Sequence, residues 1–354
     1  MAKLKLTIMG WNIENFGTSK YKTHGSELIK FVAKVMDNNK VALAGFSELR
    51  SGLGQKIGDG IAKELNTAQT VTTWKAQASP KFGKNRWEEY VMVWDSAKLS
   101  TYNGNTATTP NSAFQTEFKD PAHAPKLLGF PRQSKLDRPP FAGYFQAPDS
   151  NNVPRNFVFA IMHSPGPGYF PYVRDAARNM AQVAEFKNVG ETCVIMGDFN
   201  VKYSAAQSVA NSYGDLAFSN LVTANLKQVI DPTDVETSLI KAATLTPWVD
   251  QAYYAQPYDQ VFSRLDNVTP ALTLDDAYQD DLIVDCVNSG WKSITTNATG
   301  YLEPFLGAIA DAYSGNTPGT TKYANSTTGI NDAFIAFRRR VSDHMPVFAV
   351  IKEP

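Results

Sequence analysis

Val341-Ser342-Asp343-His344-Met345-Pro346, running into Val347-Phe348-Ala349-Val350-Ile351, decides the reading of this chain. The second half is a short apolar run of the kind that forms a buried strand. The first half sets a carboxylate and an imidazole side by side at that strand's mouth. Asp343 can hold a metal or polarise a water, and His344 carries the one side chain whose ordinary pKa lies near neutrality. A basic run, Arg338 to Arg340, leads into the pair. Two ionisable groups at a strand mouth suit hydrolytic chemistry. Alone, the pair reads better as part of a solvated loop, so its meaning depends on the rest of the chain.

Six further segments share the design of an apolar strand beside a polar cluster. Leu4 to Gly10 runs into Trp11-Asn12-Ile13-Glu14-Asn15. Val41 to Phe46 ends in Ser47-Glu48-Leu49-Arg50. Glu88 opens the strand Tyr90 to Trp94. Phe157 to Met162 ends in His163-Ser164-Pro165, and Cys193 to Met196 ends in Gly197-Asp198-Phe199-Asn200. Tyr258-Asp259-Gln260-Val261-Phe262 sets its acid at the leading edge instead. Strand ends are where sites are assembled, because rigid backbone there meets adaptable loops. The chain has four histidines, and two of them, His163 and His344, fall in these clusters.

Taken in order, the segments resemble the endonuclease/exonuclease/phosphatase superfamily, the metal-dependent phosphoesterases typified by deoxyribonuclease I. The resemblance runs from Trp11 to Val347. Asn12, Glu48, His163, Asp198 with Asn200, Asp259 and the Asp343-His344 pair fall on the family's motif positions. Arg50, two residues after Glu48, is similar to the arginine that the deoxyribonuclease I branch places in the DNA minor groove. Arg138-Pro139-Pro140-Phe141 looks like that branch's Arg-x-Pro-Phe segment, whose arginine reaches the scissile phosphate region. His163 stands where the abasic-site endonuclease branch commonly carries a tyrosine. The resemblance implies a four-layer α/β/β/α sandwich, with two mixed sheets face to face and helices outside.

It also implies a set of roles. Phosphodiester hydrolysis needs an in-line nucleophile, charge stabilisation at the phosphoryl oxygens and help for the leaving alkoxide, and a divalent metal can supply the last two. Glu48, Asn12 and Asp343 are the candidate ligands for Mg²⁺ or Mn²⁺, which prefer hard oxygen donors. Asp198 would orient or deprotonate the attacking water, and Asn200 would donate to a phosphoryl oxygen. Two residues apart in an extended segment, these two would share one face. His344 would pair with Asp259 and His163 with Glu88, flanking the phosphate as acid and base. Arg50 and Arg138 would contact the substrate. Each residue also has an ordinary structural reading. Glu48 could be a strand-end partner of Arg50, Asn12 an Asx-turn, Gly197-Asp198 a turn with an Asn cap and His163 a satisfied core histidine. Trp11, Phe46 and Phe199 read as core packing.

At 354 residues the chain can bury a large core, and motifs from both ends must converge, so 1–354 reads as one domain. Long insertions are expected near 102–147, which is rich in Pro, Asn and Thr, and near 266–332. Helices are expected over Ser26 to Met36, Lys56 to Leu65 and Val173 to Phe186, with antiparallel pairing between Val71 and Trp94. Lys plus Arg and Asp plus Glu are both 34. This balance offers no basic surface for tight passive binding to nucleic acid, but a turnover enzyme needs only a local patch. Two cysteines are too few for a disulfide framework. Cys193 reads as a core thiol, and Cys286 as free or paired with it. The short N-terminal apolar stretch is no signal peptide, and no run spans a membrane. A cytoplasmic protein and a mature chain with its leader removed fit equally, and oligomeric state is not set by the sequence.

The leading functional reading is a deoxyribonuclease I-like endonuclease with DNA as substrate and weak sequence preference, without stable membrane association. Its rival is a phosphodiesterase or phosphatase acting on a lipid headgroup or inositol phosphate, sphingomyelinase-like. A catalytically dead binding fold is the third reading. It should have lost a motif acid or histidine, and all are present.

Overall fold

The structure, a computed structural model, describes residues 3–67, 73–82, 88–101, 115–116, 138, 140–164, 190–201, 218, 221–222, 225–230, 237–239, 254–279, 337–338 and 341–354. The helix expected over Val173 to Phe186, Cys286 and most of both long insertions lie outside these residues. The first part of the chain forms β1 (Lys5–Phe16), α1 (Thr18–Asn38), β2 (Val41–Arg50), α2 (Gly54–Thr67), β3 (Trp74–Ala78), β4 (Glu88–Asp95), β5 (Ser100–Thr101) and β6 (Gln115–Thr116). There follow β7 (Phe141–Pro148), β8 (Pro154–His163), β9 (Thr192–Asp198), β10 (Lys227–Gln228), β11 (Ser238–Leu239), β12 (Tyr254–Gln256), β13 (Asp259–Arg264), β14 (Thr273–Gln279) and β15 (Val347–Lys352).

Among the described residues, one sheet has the order β14-β15-β1-β2-β4-β3 and the other β10-β13-β9-β8-β7-β5, with β6 also on β7. Both are mixed. β1 runs parallel to β2 and β8 parallel to β9, while β15, β4, β3, β7 and β13 pair antiparallel with their neighbours.

The strands alternate between two cores, as a period of two requires. Leu6, Ile8, Leu43, Tyr90, Met92 and Trp94 point inward from the first sheet to meet Phe145, Phe159, Ile161, Val194, Met196 and Val261 of the second. Met9, Trp11, Val91 and Val93 point outward, under Leu28, Phe31 and Val32 of α1 and Ile57 and Ile61 of α2. On the far side, residues 218 and 221–222 are helical, and Phe218 packs on Phe262 of β13 with ring centroids 4.8 Å apart. The layers are those of the α/β/β/α sandwich. Gly45 sets the sheet spacing at one point, since a Cβ there would come within 2.9 Å of the Phe159 ring.

Several boundaries differ from expectation. α1 begins eight residues before Ser26, at Thr18, and His24 interrupts it with φ −155°, so the expected helix is the stretch after the kink. β7 takes the end of the first long insertion, and β14 lies inside the second. β14 was hidden by Asp275 and Asp276, which break apolar alternation. The break coincides with a register shift against β15 between Leu274 and Asp276, the local disruption a bulge produces.

Candidate active site

The polar clusters meet at one edge of the sandwich, most of them within the strands, with Asn200 and the Asp343-His344 pair in the loops beside β9 and β15. Asn12 lies inside β1 and Glu48 inside β2, where the register between neighbouring strands slips between Asn12 and Phe16 and between Phe46 and Leu49. At this irregularity Glu48 has φ 61° and Asn15 φ 50°. Left-handed backbone at residues other than glycine is held only where surrounding contacts enforce it, and it gathers at functional sites. The bulge aims the Glu48 carboxylate at Asn12, whose Nδ2 donates to Oε1 at 3.4 Å, and at the Asn15 N–H, 3.0 Å from Oε2.

Asp198 sits at the centre. Its Oδ2 accepts from Asn12 Nδ2 at 3.1 Å and Asn200 Nδ2 at 2.9 Å. Nε2 of His163 lies 3.6 Å from that oxygen on one side and Nε2 of His344 3.5 Å on another. Each imidazole is backed by a buried carboxylate on Nδ1: Glu88 Oε2 at 3.1 Å for His163 and Asp259 Oδ2 at 2.6 Å for His344. β8 and β9 fix His163 beside Asp198 in direct parallel register, and β13 sets Asp259 opposite Asp198. Gly197 makes the approach possible. It has φ 138°, and a Cβ there would lie 1.9 Å from the Met162 carbonyl oxygen.

The alternating-face argument for Asp198 and Asn200 fails, although both reach the site. β9 stops at Asp198, and Asn200 is left-handed with φ 52°. Its N–H donates to Asp198 Oδ1 at 2.8 Å. This is an Asx-turn at Asp198, where the alternative reading was a Gly-Asp turn with an Asn cap, and it delivers the Asn200 amide to the Ser164 carbonyl at 3.0 Å.

Both arginines lie among the site acids. Arg50 Nη2 lies 3.3 Å from both Glu48 Oε2 and Glu88 Oε1, and its side chain is 17% exposed. Glu48 and Glu88 hold the guanidinium at the site. Arg138 Nη2 donates to Glu88 Oε1 at 2.8 Å and Nη1 to the Ser164 carbonyl at 2.9 Å, with Nη1 also 2.9 Å from His163 Nε2. Asp343 stays at the rim. Its side chain is 28% exposed and 3.7 Å from His344 Nε2. The structure brings it near His344 rather than into the Asn12–Glu48 contact.

These contacts govern ionisation. Burial pushes the Glu48 carboxyl up, but His163, Arg50 and the Asn15 N–H together pull it down to about 2. Burial raises Asp198, and Asp259 adds to the rise against the pull of His344, His163 and the Asn200 N–H, leaving it at about 6. Burial works against charge on His344, yet Asp259, Asp198 and Asp343 raise it well above its ordinary value. Lys20 braces the rim, donating to the Glu14 carbonyl at 2.6 Å and the Val341 carbonyl at 2.5 Å. Burial lowers its ammonium to about 8 against the pull of Glu14, Asp343 and Glu48.

The residues present fit a hard divalent cation. Asn12 Oδ1 is buried without a hydrogen-bond partner, beside a carboxylate held ionised. An oxygen-seeking cation answers an unpaired amide oxygen and an anionic carboxylate together. Among the described residues no three His, Cys, Asp or Glu side chains group to hold a metal by themselves. Mg²⁺ commonly uses one or two carboxylates and fills the rest of its shell with water and substrate oxygens.

Other contacts had no local sequence signal. Ser342, fully buried, donates from Oγ to the Asn12 carbonyl at 2.6 Å and accepts the His344 N–H at 3.0 Å. Trp11 packs in the core and also donates Nε1–H to the His344 carbonyl at 2.9 Å. The Tyr90 hydroxyl accepts the His163 N–H at 3.0 Å. Thr237 touches Asp259. Only Ser342 and Trp11 adjoin motif residues, so proximity in sequence could have flagged those two.

Solved structures share this fold. The endonuclease/exonuclease/phosphatase from Beutenbergia cavernae DSM 12333 matches with TM-score 0.53 and 14% identity, over 99% of this chain and 72% of that one. That from Bacteroides vulgatus matches at 0.51 and 13%, over 99% and 100%. D. rerio TDP2, humanized by 14 mutations, matches at 0.51 and 10%, over 98% of each chain. No family model and no curated protein matches the sequence. The chain has the endonuclease/exonuclease/phosphatase fold, as its motif order implied.

Proposed function

We propose that this protein is a divalent-metal-dependent phosphoester hydrolase, acting as a deoxyribonuclease I-like endonuclease on DNA with weak sequence preference. One observation carries the reading: two carboxylate-backed imidazoles turn their Nε2 atoms towards the same oxygen of Asp198, at 3.5 and 3.6 Å. A structural histidine needs a partner, but two such dyads converging on a third acid suit proton transfer on either side of a phosphate. Asp198 orients the attacking water, helped by Asn12 and Asn200. His344, held as an imidazolium by Asp259, gives a proton to the leaving oxygen. His163, oriented by Glu88, faces Asp198 and the water. Arg138, already against the His163 ring, and Arg50 supply positive charge to the phosphoryl oxygens. Glu48 and Asn12 would hold Mg²⁺ or Mn²⁺, with Asp343 at the rim; the ion supplies Lewis acidity and a more acidic bound water.

The test is nicking of supercoiled plasmid, run beside hydrolysis of a lipid phosphodiester, each with Mg²⁺ and with EDTA. Metal-dependent nicking that exceeds lipid cleavage supports the endonuclease. Lipid cleavage alone transfers the site to the headgroup phosphodiesterase reading, which the described surface does not favour, since Val153 and Val222 are its only exposed large hydrophobics.

A further inference from the structure

The Asp259–His344 pair has a third member that no motif contains. Thr237 lies 22 residues before Asp259 and is fully buried. Its Oγ1 donates to Asp259 Oδ2 at 2.8 Å and accepts the Asp259 N–H at 2.8 Å. The same Oδ2 receives the His344 Nδ1–H at 2.6 Å, while Asp259 Oδ1 is buried with no partner. One carboxylate oxygen therefore carries both donors and the other carries none. Without the hydroxyl, the His344 bond alone would set the torsion about the last side-chain bond of Asp259, and the carboxylate plane could tilt with the ring.

The backbone around Thr237 also holds the other end of the dyad. Met345 N–H donates to the Thr237 carbonyl at 2.9 Å and Leu239 N–H to the Asp343 carbonyl at 2.8 Å, with Ser238 bridged to His344 between them. The segment thus grips the loop on both sides of His344 while its hydroxyl grips the acid.

We infer that Thr237 is a positioning residue that sets the rotamer of Asp259 and, through it, the direction of the His344 imidazole. The inference deepens the proposed hydrolase reading and rests on it for its kinetic consequences. The variants are Thr237→Val, which keeps the shape and removes the hydroxyl, Thr237→Ser, which keeps the hydroxyl, and Thr237→Ala as the substitute if Val does not fold. Outer-shell partners of this kind are typically worth about 10–100-fold in activity. Thr237→Val should lower kcat for plasmid nicking by about that factor with KM nearly unchanged, and Thr237→Ser should restore it. Proton NMR gives the second readout: the short Nδ1–H···Oδ2 bond should give a far-downfield resonance, absent in His344→Ala, that moves upfield in Thr237→Val and returns in Thr237→Ser. This arm holds even if the protein cleaves no phosphodiester, so failure of the hydrolase reading and failure of the positioning role are told apart. A folded Thr237→Val or Thr237→Ala protein with an unmoved resonance overturns the inference, as does full kcat in either.

Discussion

At the scale of single residues, the site is a balance of buried charge. Four acids, Glu48, Glu88, Asp198 and Asp259, share it with Arg50, Arg138 and two imidazoles, and each acid meets a cationic or ring-nitrogen partner. Glu48 has the sharpest consequence. Because its folded carboxyl lies near 2 and its ordinary value is 4.5, its charge adds stability that is present above 4.5 and lost as the pH falls through about 2. Glu48→Gln should therefore lower the melting temperature of the metal-free protein at neutral pH, and the gap to wild type should close in acid. The same variant should lose about 10–100-fold or more in activity if Glu48 holds the ion. A melting curve unchanged at pH 7 would contradict the charge balance, whatever happened to rate. Arg50→Ala should depress cleavage of plasmid and of a small phosphodiester alike, because its guanidinium lies among the site acids. A loss confined to the polymer would instead support the minor-groove role.

At the scale of elements, one edge of the sandwich carries the function, through the ends of β2, β8 and β9 and the starts of the antiparallel β4 and β13, and the opposite edge carries scaffold. β8 shows both: His163 closes it, and Arg155, near its start, is fully buried against Asp149 and Asp266, with further bonds to the Val268 and Pro270 carbonyls. Eight residues of extended chain put roughly 26 Å between them. Arg155→Met would strand two buried carboxylates, a loss of about 3–5 kcal/mol by the usual cost of breaking such a pair. Denaturant unfolding should register it, while kcat per folded molecule stays near wild type. Apolar runs ending in Asp, His or Asn were legible because buried strands cannot hide their composition. The bulges at Asn12 and Glu48 were not, since a left-handed turn at Glu48 leaves no mark in residue type. Thr237 was also silent, because a buried hydroxyl that binds a catalytic acid reads like any turn threonine. The Phe141 to Pro148 strand was lost against the Pro- and Asn-rich stretch before it.

At the scale of the whole molecule, two sheets stacked through Phe159, Ile161, Met92 and Trp94 bring residues more than 300 positions apart into one site. The two motif histidines arrive from different sheets, His163 on β8 of one and His344 from the loop that feeds β15 of the other, with Asp198 between them. EDTA should abolish cleavage, and added Mg²⁺ or Mn²⁺ should restore it; full activity in EDTA would remove the metal from the scheme. The central claim is that the two imidazoles work as one unit, and single-turnover cleavage at saturating Mg²⁺ by His163→Ala, His344→Ala and the double variant tests it most directly. General acid–base help is worth about 10²–10⁴-fold, and groups acting as a unit are strongly non-additive. The three variants should therefore fall by similar large factors, with the double no worse than the slower single. Wild-type cleavage by folded His163→Ala, or a double variant whose loss is the product of the two singles, would contradict it.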